Sequence, residues 1–194
     1  MIADEQPTSQ PLNDDSPLVA QASQVRLKAA RHSACLAKAE AIIKANVVQA
    51  MTMGLIPVPM LDVVALTHVQ FRMLDDLVKL YDIPYTQLEK AVVRSFLMGV
   101  LPVVTMTGLS SVFKAVPGIG SIAGSAGVSI MAGALTYATG RVFVRHFETG
   151  GNLSDLDLNK AKRQFLQEFR RGKKVASQQT EPLTVLIPPL QPDA

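Results

Sequence analysis

The amino-acid sequence predicts an all-α fold: a helical bundle with a glycine-rich hydrophobic helical hairpin and disordered termini. Apolar residues make up 48% of the 194 positions, with no Trp, 3 Tyr and 7 Phe. The apolar content is therefore mainly Ala, Val, Leu, Ile and Met, which favours helices over sheets. These residues recur every three to four positions in several segments, which is the helical period. The centre of the chain is almost free of charge.

The two ends of the chain are polar and contain several prolines. Such segments bury too little apolar surface to offset the entropy lost on ordering. We predict a disordered tail over 1–22, a single helical domain over 23–172 and a flexible tail over 173–194. The run 183–190 is alternatively a peptide that docks in an extended form. The N-terminal tail lacks the basic and apolar regions of a secretory signal.

The first helix is predicted over about 23–50. Alanines and larger aliphatic residues recur there at helical spacing, and Gly54 and Pro57 end the pattern. Basic residues occupy the other side of this helix. They are Arg26, Lys28, Arg31, Lys38 and Lys44.

The second helix is predicted over about 59–81. Asp62 lies in its first turn, where a carboxylate complements the positive end of the helix dipole. Asp75 and Lys79 stand one turn apart and are expected to pair. The sequence Asp-Ile-Pro that follows Tyr81 ends the helix.

A hydrophobic hairpin is predicted over about 95–140. Between Arg94 and Lys114 lie 19 uncharged residues, and between Lys114 and Arg141 lie 26 more. A Pro-Gly turn at Pro117 follows Lys114. A bilayer core is about 30 Å thick and needs roughly 20 helical residues to cross, so both runs are long enough. Because Gly, Ser, Thr and Pro dilute them, the alternative is two buried helices of a soluble bundle.

Capping residues indicate where two further helices begin. Thr86 and Glu89 form a capping-box pattern ahead of the hairpin. The last helix is predicted over about 153–172, with Asn152 or Ser154 as its cap.

Small residues recur every three to four positions along the second arm of the hairpin. This glycine-zipper pattern gives a smooth helix face and lets backbones approach closely. We predict helix packing, within or between chains, through Gly120, Ser121, Gly124, Ser125, Ser129, Gly133, Thr136 and Gly140.

The last helix carries a strongly basic side, which is a candidate membrane or partner surface. Its residues are Lys160, Lys162, Arg163, Arg170, Arg171, Lys173 and Lys174. Near an anionic membrane each contributes roughly 1 kcal/mol of attraction. The alternative is an ordinary solvated helix. The net charge of +3 is too small to predict a nucleic-acid partner.

Basic residues flank both ends of the hairpin, and only Lys114 lies in its turn. If the hairpin spans a membrane, the positive-inside rule places both termini in the cytoplasm and Lys114 outside. The predicted location is then the bacterial inner membrane, and the cytoplasm is the alternative.

No arrangement of residues in the sequence predicts chemistry. It has no phosphate-binding P-loop, and no Ser-His-Asp or paired-carboxylate pattern stands out. The three histidines are isolated from one another, and Cys35 is the only cysteine. We therefore predict no catalytic residue, cofactor or metal site, and no enzyme.

Two motifs resemble those of a bacterial family, domain of unknown function 697. The opening motif reads Ile-Pro-Val-Pro-Met-Leu-Asp from Ile56, and Leu, Gln, Met and Tyr follow at helical intervals. The closing motif covers 133–140 and 147–151. The family-motif residues are Pro57, Pro59, Asp62 and Gln70.

The resemblance implies an all-helical, often membrane-embedded domain with no established enzymatic activity. Some members are fused to, or encoded beside, Era-like P-loop GTPases, so a GTPase is the implied partner. We predict a membrane-associated helical scaffold or adaptor. The alternative is a soluble interaction module that oligomerises through the glycine-rich hairpin, and a third reading is pore formation by oligomerised hairpins. For Asp62 and Gln70 we weigh a cap on the helix start against a buried polar link to the hairpin.

Overall fold

Five α-helices and one 3₁₀ turn form the part of the chain that the structure describes. The structure is a computed structural model, and it describes residues 17–54, 61–84, 86–104 and 122–186. The elements are α1 (Pro17–Met53), α2 (Leu61–Leu80), α3 (Gln87–Val104), α4 (Ile122–Glu148), the 3₁₀ turn (Leu153–Asp155) and α5 (Leu158–Leu186). No strand occurs in these ranges, and the predicted all-α class is confirmed.

The chain divides into two compact units, Met1–Ala37 and Lys38–Ala194. The boundary falls inside α1, and the second unit contains α2 to α5. In the first unit, α1 begins at Pro17, so the prediction of a disordered tail up to residue 22 is wrong for 17–22. Proline suits the first turn of a helix because its φ angle is already helical and no backbone donor is needed there.

The last helix differs from the prediction at both ends. Asn152 caps the short 3₁₀ turn and not α5, which begins only after Asp157. The helix then continues to Leu186, so residues 173–186 are helical and not a flexible tail. From Lys173 to Thr180 the chain has no Gly or Pro, and Lys, Ala and Gln are good helix formers.

Helix α4 is the centre of the second unit, and α1 and α5 run antiparallel to it. On the α1 side, Met51 lies beside Gly133 and Ile43 beside Gly140. On the α5 side, Gly172 lies against the backbone of Ala134.

Helix α2 runs parallel to α4 along another side. Its Val69 belongs to a buried cluster with Ala132, and its last turn places Tyr81 beside Phe147, with ring centroids 5.5 Å apart. The Tyr81 hydroxyl also donates a hydrogen bond to Glu148. Helices α1, α2 and α5 therefore all pack on α4.

Aromatic rings fill the space where α3, α4 and α5 meet. The ring of Phe96 on α3 packs edge-on against Phe143 of α4 at 5.3 Å and against Phe165 of α5 at 6.2 Å. All three rings are fully buried. Such pairs add about 0.5–1.5 kcal/mol beyond the area they bury, so this cluster is a main source of stability for the unit.

The ends of α2 and α3 match the sequence signals. Asp82 adopts φ 53°, and the amide of Ile83 donates to the carbonyl of Val78, which closes the C-terminus of α2. The carboxylate of Glu89 accepts from the hydroxyl and the backbone amide of Thr86. These two hydrogen bonds lower the pKa of Glu89, and they confirm the predicted pairing of these residues.

A nine-residue loop over 149–157, which includes the 3₁₀ turn, connects α4 to α5. Gly150 takes φ 79°, a conformation that L side chains rarely adopt. The His146 Nε2 lies 2.7 Å from the carbonyl oxygen of Asn152 and 2.8 Å from Asp155 Oδ1. Both partners are acceptors, so Nε2 carries the proton and His146 fixes the turn. The Asp157 carboxylate then accepts from the amides of two residues in the first turn of α5.

Candidate functional site

The glycines of α4 lie where neighbouring helices approach most closely. A Cβ atom at Gly133 would come within 2.6 Å of Met51 Cγ, and one at Gly140 within 2.6 Å of Ile43 Cγ1. Real Cβ contacts are never this short. A Cβ at Gly172 on α5 would meet the Ala134 carbonyl oxygen at 2.8 Å. The small residues therefore permit close packing inside a single chain.

Two hydroxyl residues of the same pattern are buried and hydrogen-bonded. Ser129 Oγ donates to the carbonyl of Met51 at 2.8 Å, which satisfies one of the last carbonyls of α1. Thr136 Oγ1 donates to the carbonyl of Ala132 at 3.0 Å within α4. Gly124 and Ser125 lie in the first turn of α4. Gly120 and Ser121 lie outside the described residues, as does the predicted turn at Lys114.

The family-motif residues divide between described and undescribed parts of the chain. Pro57 and Pro59 lie outside the described residues, and Asp62 is in the first turn of α2. Gln70 is 1% exposed, and within the described residues neither its Nε2 nor its Oε1 has a hydrogen-bond partner. The link from Gln70 to the hairpin stays a prediction, because residues 105–121 of the hairpin lie outside the described part of the chain. A buried amide left unpaired costs about 1–3 kcal/mol.

Gln70 lies in a core region that holds further polar groups. Val69 beside it clusters with Ala132, and Met73 one turn later reaches Gly140. Gln70 is therefore level with the middle of α4, where Thr139 is also fully buried and its hydroxyl has no partner among the described residues. Sequence reasoning singled out Gln70 through the motif alone, since its spacing fits an apolar core position equally well.

The basic side of α5 is largely exposed, and three of its cations have local contacts. Arg171 pairs with Glu168 at 2.8 Å, Lys173 stands 5.8 Å from the centre of the Phe169 ring, and the Lys162 side chain lies over Gly99 of α3. The remaining exposed members are Lys160, Arg163, Arg170 and Lys174. The arrangement forms a cationic surface.

A second cationic feature, missed by the sequence analysis, lies between α2 and α3. It is a cleft of about 660 Å³. Its basic lining residues are His68, Arg72, Lys90 and Arg94. On each helix the two residues are four positions apart. That spacing on two successive helices was the signal that the sequence offered.

One helix of the described part has the length and composition to cross a membrane. It is Gly127–Glu148, with a mean hydropathy of 1.2, and 67% of its most apolar window is buried inside the protein. The sequence predicted two uncharged arms over 95–140. The candidate membrane helix overlaps only the second of these arms, and it is part of the core helix α4. Among the described residues, no group of three or more His, Cys, Asp or Glu side chains is placed to hold a metal.

Comparison with known proteins gives a family and one relative for this chain. Residues 17–172 match the family described as domain of unknown function (DUF697). The chain is 36% identical over 141 residues to magnetosome membrane protein 22 of Magnetospirillum gryphiswaldense, which covers 72% of each protein. No solved structure matches the chain. Since the match spans nearly all of the described helices, the chain belongs to the domain of unknown function 697 family.

Proposed function

We propose that this protein is a membrane-associated helical scaffold with no catalysis of its own, which docks a cytoplasmic protein partner. The observation that carries the proposal is the run from Ser95 to Gly140, in which Lys114 is the only charged residue. A relative that is 36% identical to this chain over 141 residues is named as a membrane protein. The family resemblance makes a P-loop GTPase the partner to test first.

The packing of α4 limits which residues are available to lipid. From Ser129 to Phe147 most of α4 is buried against α1, α2 and α5, so these residues do not face a bilayer. Between Val100 and the buried stretch of α4, the rest of the run covers 101–126, in which Lys114 is the one charged residue. Two crossings need about 40 helical residues, and this segment has 26. We therefore propose that it enters the membrane and returns on the same side.

This insertion sets the orientation of the rest of the chain. Both ends of the segment stay on one face, and the basic residues of α1 and α5 favour the cytoplasmic face of the bacterial inner membrane. The exposed basic side of α5 is then free to bind anionic headgroups or an acidic partner.

The alternative function is a soluble interaction module that oligomerises through the glycine-rich hairpin. One observation favours it: two thirds of the candidate membrane helix is buried within a single chain. The core helix of a soluble protein has the same character. The two functions differ in where the protein is found and in whether it remains monodisperse without detergent.

Fractionation and site-directed labelling test the proposal. The protein is expected to sediment with membranes and to resist carbonate extraction. In a Cys35→Ser, Lys114→Cys variant, the new thiol is expected to resist an impermeant maleimide added from either side. Labelling from outside would show a full crossing. Recovery as a monodisperse soluble species would overturn the membrane proposal and support the soluble module.

A further inference from the structure

The cleft between α2 and α3 combines positive charge with a small apolar surface. Arg72 and Arg94, one from each helix, are exposed within its lining, and Phe71 and Ala91 also line it. At about 660 Å³ it has the volume of a small-molecule site. Such a combination suits a ligand with an anionic group and a short apolar part.

Two carboxylates near the cleft have partners of their own. Asp75, the one carboxylate in the lining, pairs with Lys79 at 2.6 Å. Glu89, next to Lys90 in sequence, accepts hydrogen bonds from Thr86. Within the described residues, neither Arg72 nor Arg94 has an ion-pair partner. Arg72 and Arg94 therefore present positive charge that no ion pair within the described residues takes up.

The residue types indicate which anion would bind. Arginine presents a planar fork of donors that matches the oxygens of a phosphate and binds them in pairs. Two arginine side chains from neighbouring helices can both bind a single phosphate group. A peptide with carboxylates spread along its length suits this arrangement less well. Phe71 provides contact for the carbon atoms attached to that phosphate.

The position of the cleft connects this chemistry to a membrane. Arg94 is the last charged residue before the uncharged run. It lies seven residues, or about 10 Å along a helix axis, before Leu101, where the segment proposed to enter the bilayer begins. The headgroup layer on each side of the hydrocarbon core is about 5–8 Å thick. The Arg94 backbone would thus lie just outside this layer, and its long side chain would reach back to the lipid phosphates.

We infer that the cleft between α2 and α3 binds the phosphate headgroup of an anionic membrane phospholipid, held by Arg72 and Arg94 with Lys90 and His68 beside them. The inference rests on the proposed membrane association. It adds a specific lipid site that is separate from the basic side of α5.

Lipid titration of the full-length protein in neutral detergent micelles tests this inference. Dioleoyl phosphatidylglycerol is expected to bind and to raise the melting temperature, and dioleoyl phosphatidylcholine is not. Arg72→Gln with Arg94→Gln should weaken phosphatidylglycerol binding roughly a hundredfold, about tenfold for each charged hydrogen-bonding group. Both residues are exposed, so the variant should melt at the same temperature as the wild type without lipid.

Matched variants separate a built site from general charge attraction. Arg163→Gln with Arg170→Gln removes the same charge from the basic side of α5, where the attraction of headgroups is nonspecific and screened by salt, so the affinity should fall by no more than about threefold. Arg72→Lys with Arg94→Lys keeps the charge but loses the paired donors, and should also weaken binding. Equal affinity for wild type and the double lysine variant would overturn the inference.

Soluble probes identify the source of the anion. If inorganic phosphate or glycerol phosphate raises the melting temperature as much as the lipid does, the site is one for free phosphate and the lipid assignment is wrong. If a poly-glutamate peptide binds and phosphatidylglycerol does not, the cleft is a peptide site. Micelle binding does not require insertion, so this result is independent of carbonate extraction, which tests the membrane proposal.

Discussion

The two halves of α4 pack against their neighbours in opposite ways. From Ser129 to Gly140 eight of the twelve residues are Gly, Ala, Ser or Thr, and α1 and α5 approach so closely that added atoms would collide with them. From Val142 to Phe147 the space is filled by the rings of Phe143 and Phe147, and Phe143 meets Phe96, which in turn packs on Phe165. The small half has buried polar groups beside it, including the unpaired amide of Gln70, whereas the other half is mainly aromatic and aliphatic.

The comparison indicates how stability and constraint are distributed. Large rings bury more area and gain dispersion contacts, so the aromatic half should carry more of the folding free energy. The small half depends on backbone proximity, which tolerates no added volume. The aromatic half should therefore be sensitive to removal of atoms, and the small half to their addition.

Phe143→Ala should produce the largest effect. Phe143 is fully buried and lies 5.3 Å from Phe96 and 6.1 Å from Phe147, ring centre to ring centre. We expect the free energy of unfolding to fall by about 3–5 kcal/mol because a cavity remains. Urea denaturation followed by circular dichroism measures this, with Phe143→Leu as the milder control. If Phe143→Ala lowered the free energy of unfolding by less than the variants in the small half do, the aromatic half would not carry more of the folding free energy.

Gly172→Ala tests the small half by adding one methyl group. The new Cβ would stand 2.8 Å from the Ala134 carbonyl oxygen and 3.0 Å from its Cα, and neither backbone atom can move easily. We expect a loss of about 1–3 kcal/mol from overpacking.

Gly99→Ala is the matched control for that change. Its Cβ would meet only the flexible end of Lys162. The intrinsic helix preference of Ala, up to about 1 kcal/mol, should then make the variant neutral or more stable. If both glycine variants changed stability equally, close backbone contact would not explain the glycines of the bundle.

Gln70→Met should stabilise the protein, since it replaces an unpaired buried amide with an apolar group of similar size. We expect a gain of about 1–2 kcal/mol in the free energy of unfolding. Gln70→Asn, which shortens the side chain and keeps the amide, should not reproduce it. A loss of stability in Gln70→Met would show that the amide has a partner, such as a buried water.

Asp157 should give the smallest effect, and it acts on both halves because α5 packs along α4. The amides of Lys160 and Asn159 donate to its carboxylate and lower its pKa. A lowered folded-state pKa stabilises the fold above the unfolded value, near pH 4, and this stability is lost as pH falls through the folded pKa. The wild type should melt slightly above Asp157→Asn at pH 7, and the difference should shrink as the pH falls below about 4.

Much of this fold could be predicted because its signals are local. The Thr86–Glu89 pairing and the Asp75–Lys79 ion pair follow from spacing along one helix, and the structure contains both. Helix ends were harder to predict. Pro17 and the 173–186 region have polar compositions that predict disorder, yet both are helical. Composition indicates how much apolar surface a segment can bury. The length of a helix also depends on the helix propensity of its residues and on whether an existing helix can be extended into the segment.

The candidate sites divide in the same way. The basic side of α5 could be read directly because all its residues lie on one helix. The α2–α3 cleft could not, since Arg72 and Arg94 are 22 positions apart in sequence and meet only across two helices. The burial of Gln70 was likewise invisible, because a polar residue at helical spacing fits an exposed side as well as a core.

The sequence by itself determined the all-helical class, the family, the uncharged centre and the small-residue pattern, since each depends on residue type and short-range spacing. Only the tertiary structure decided that α4 is the core helix, that α1 and α5 pack against its glycines, and that two arginines line one cleft. These features depend on which helix sides meet, and that choice is made by packing among residues far apart in the chain.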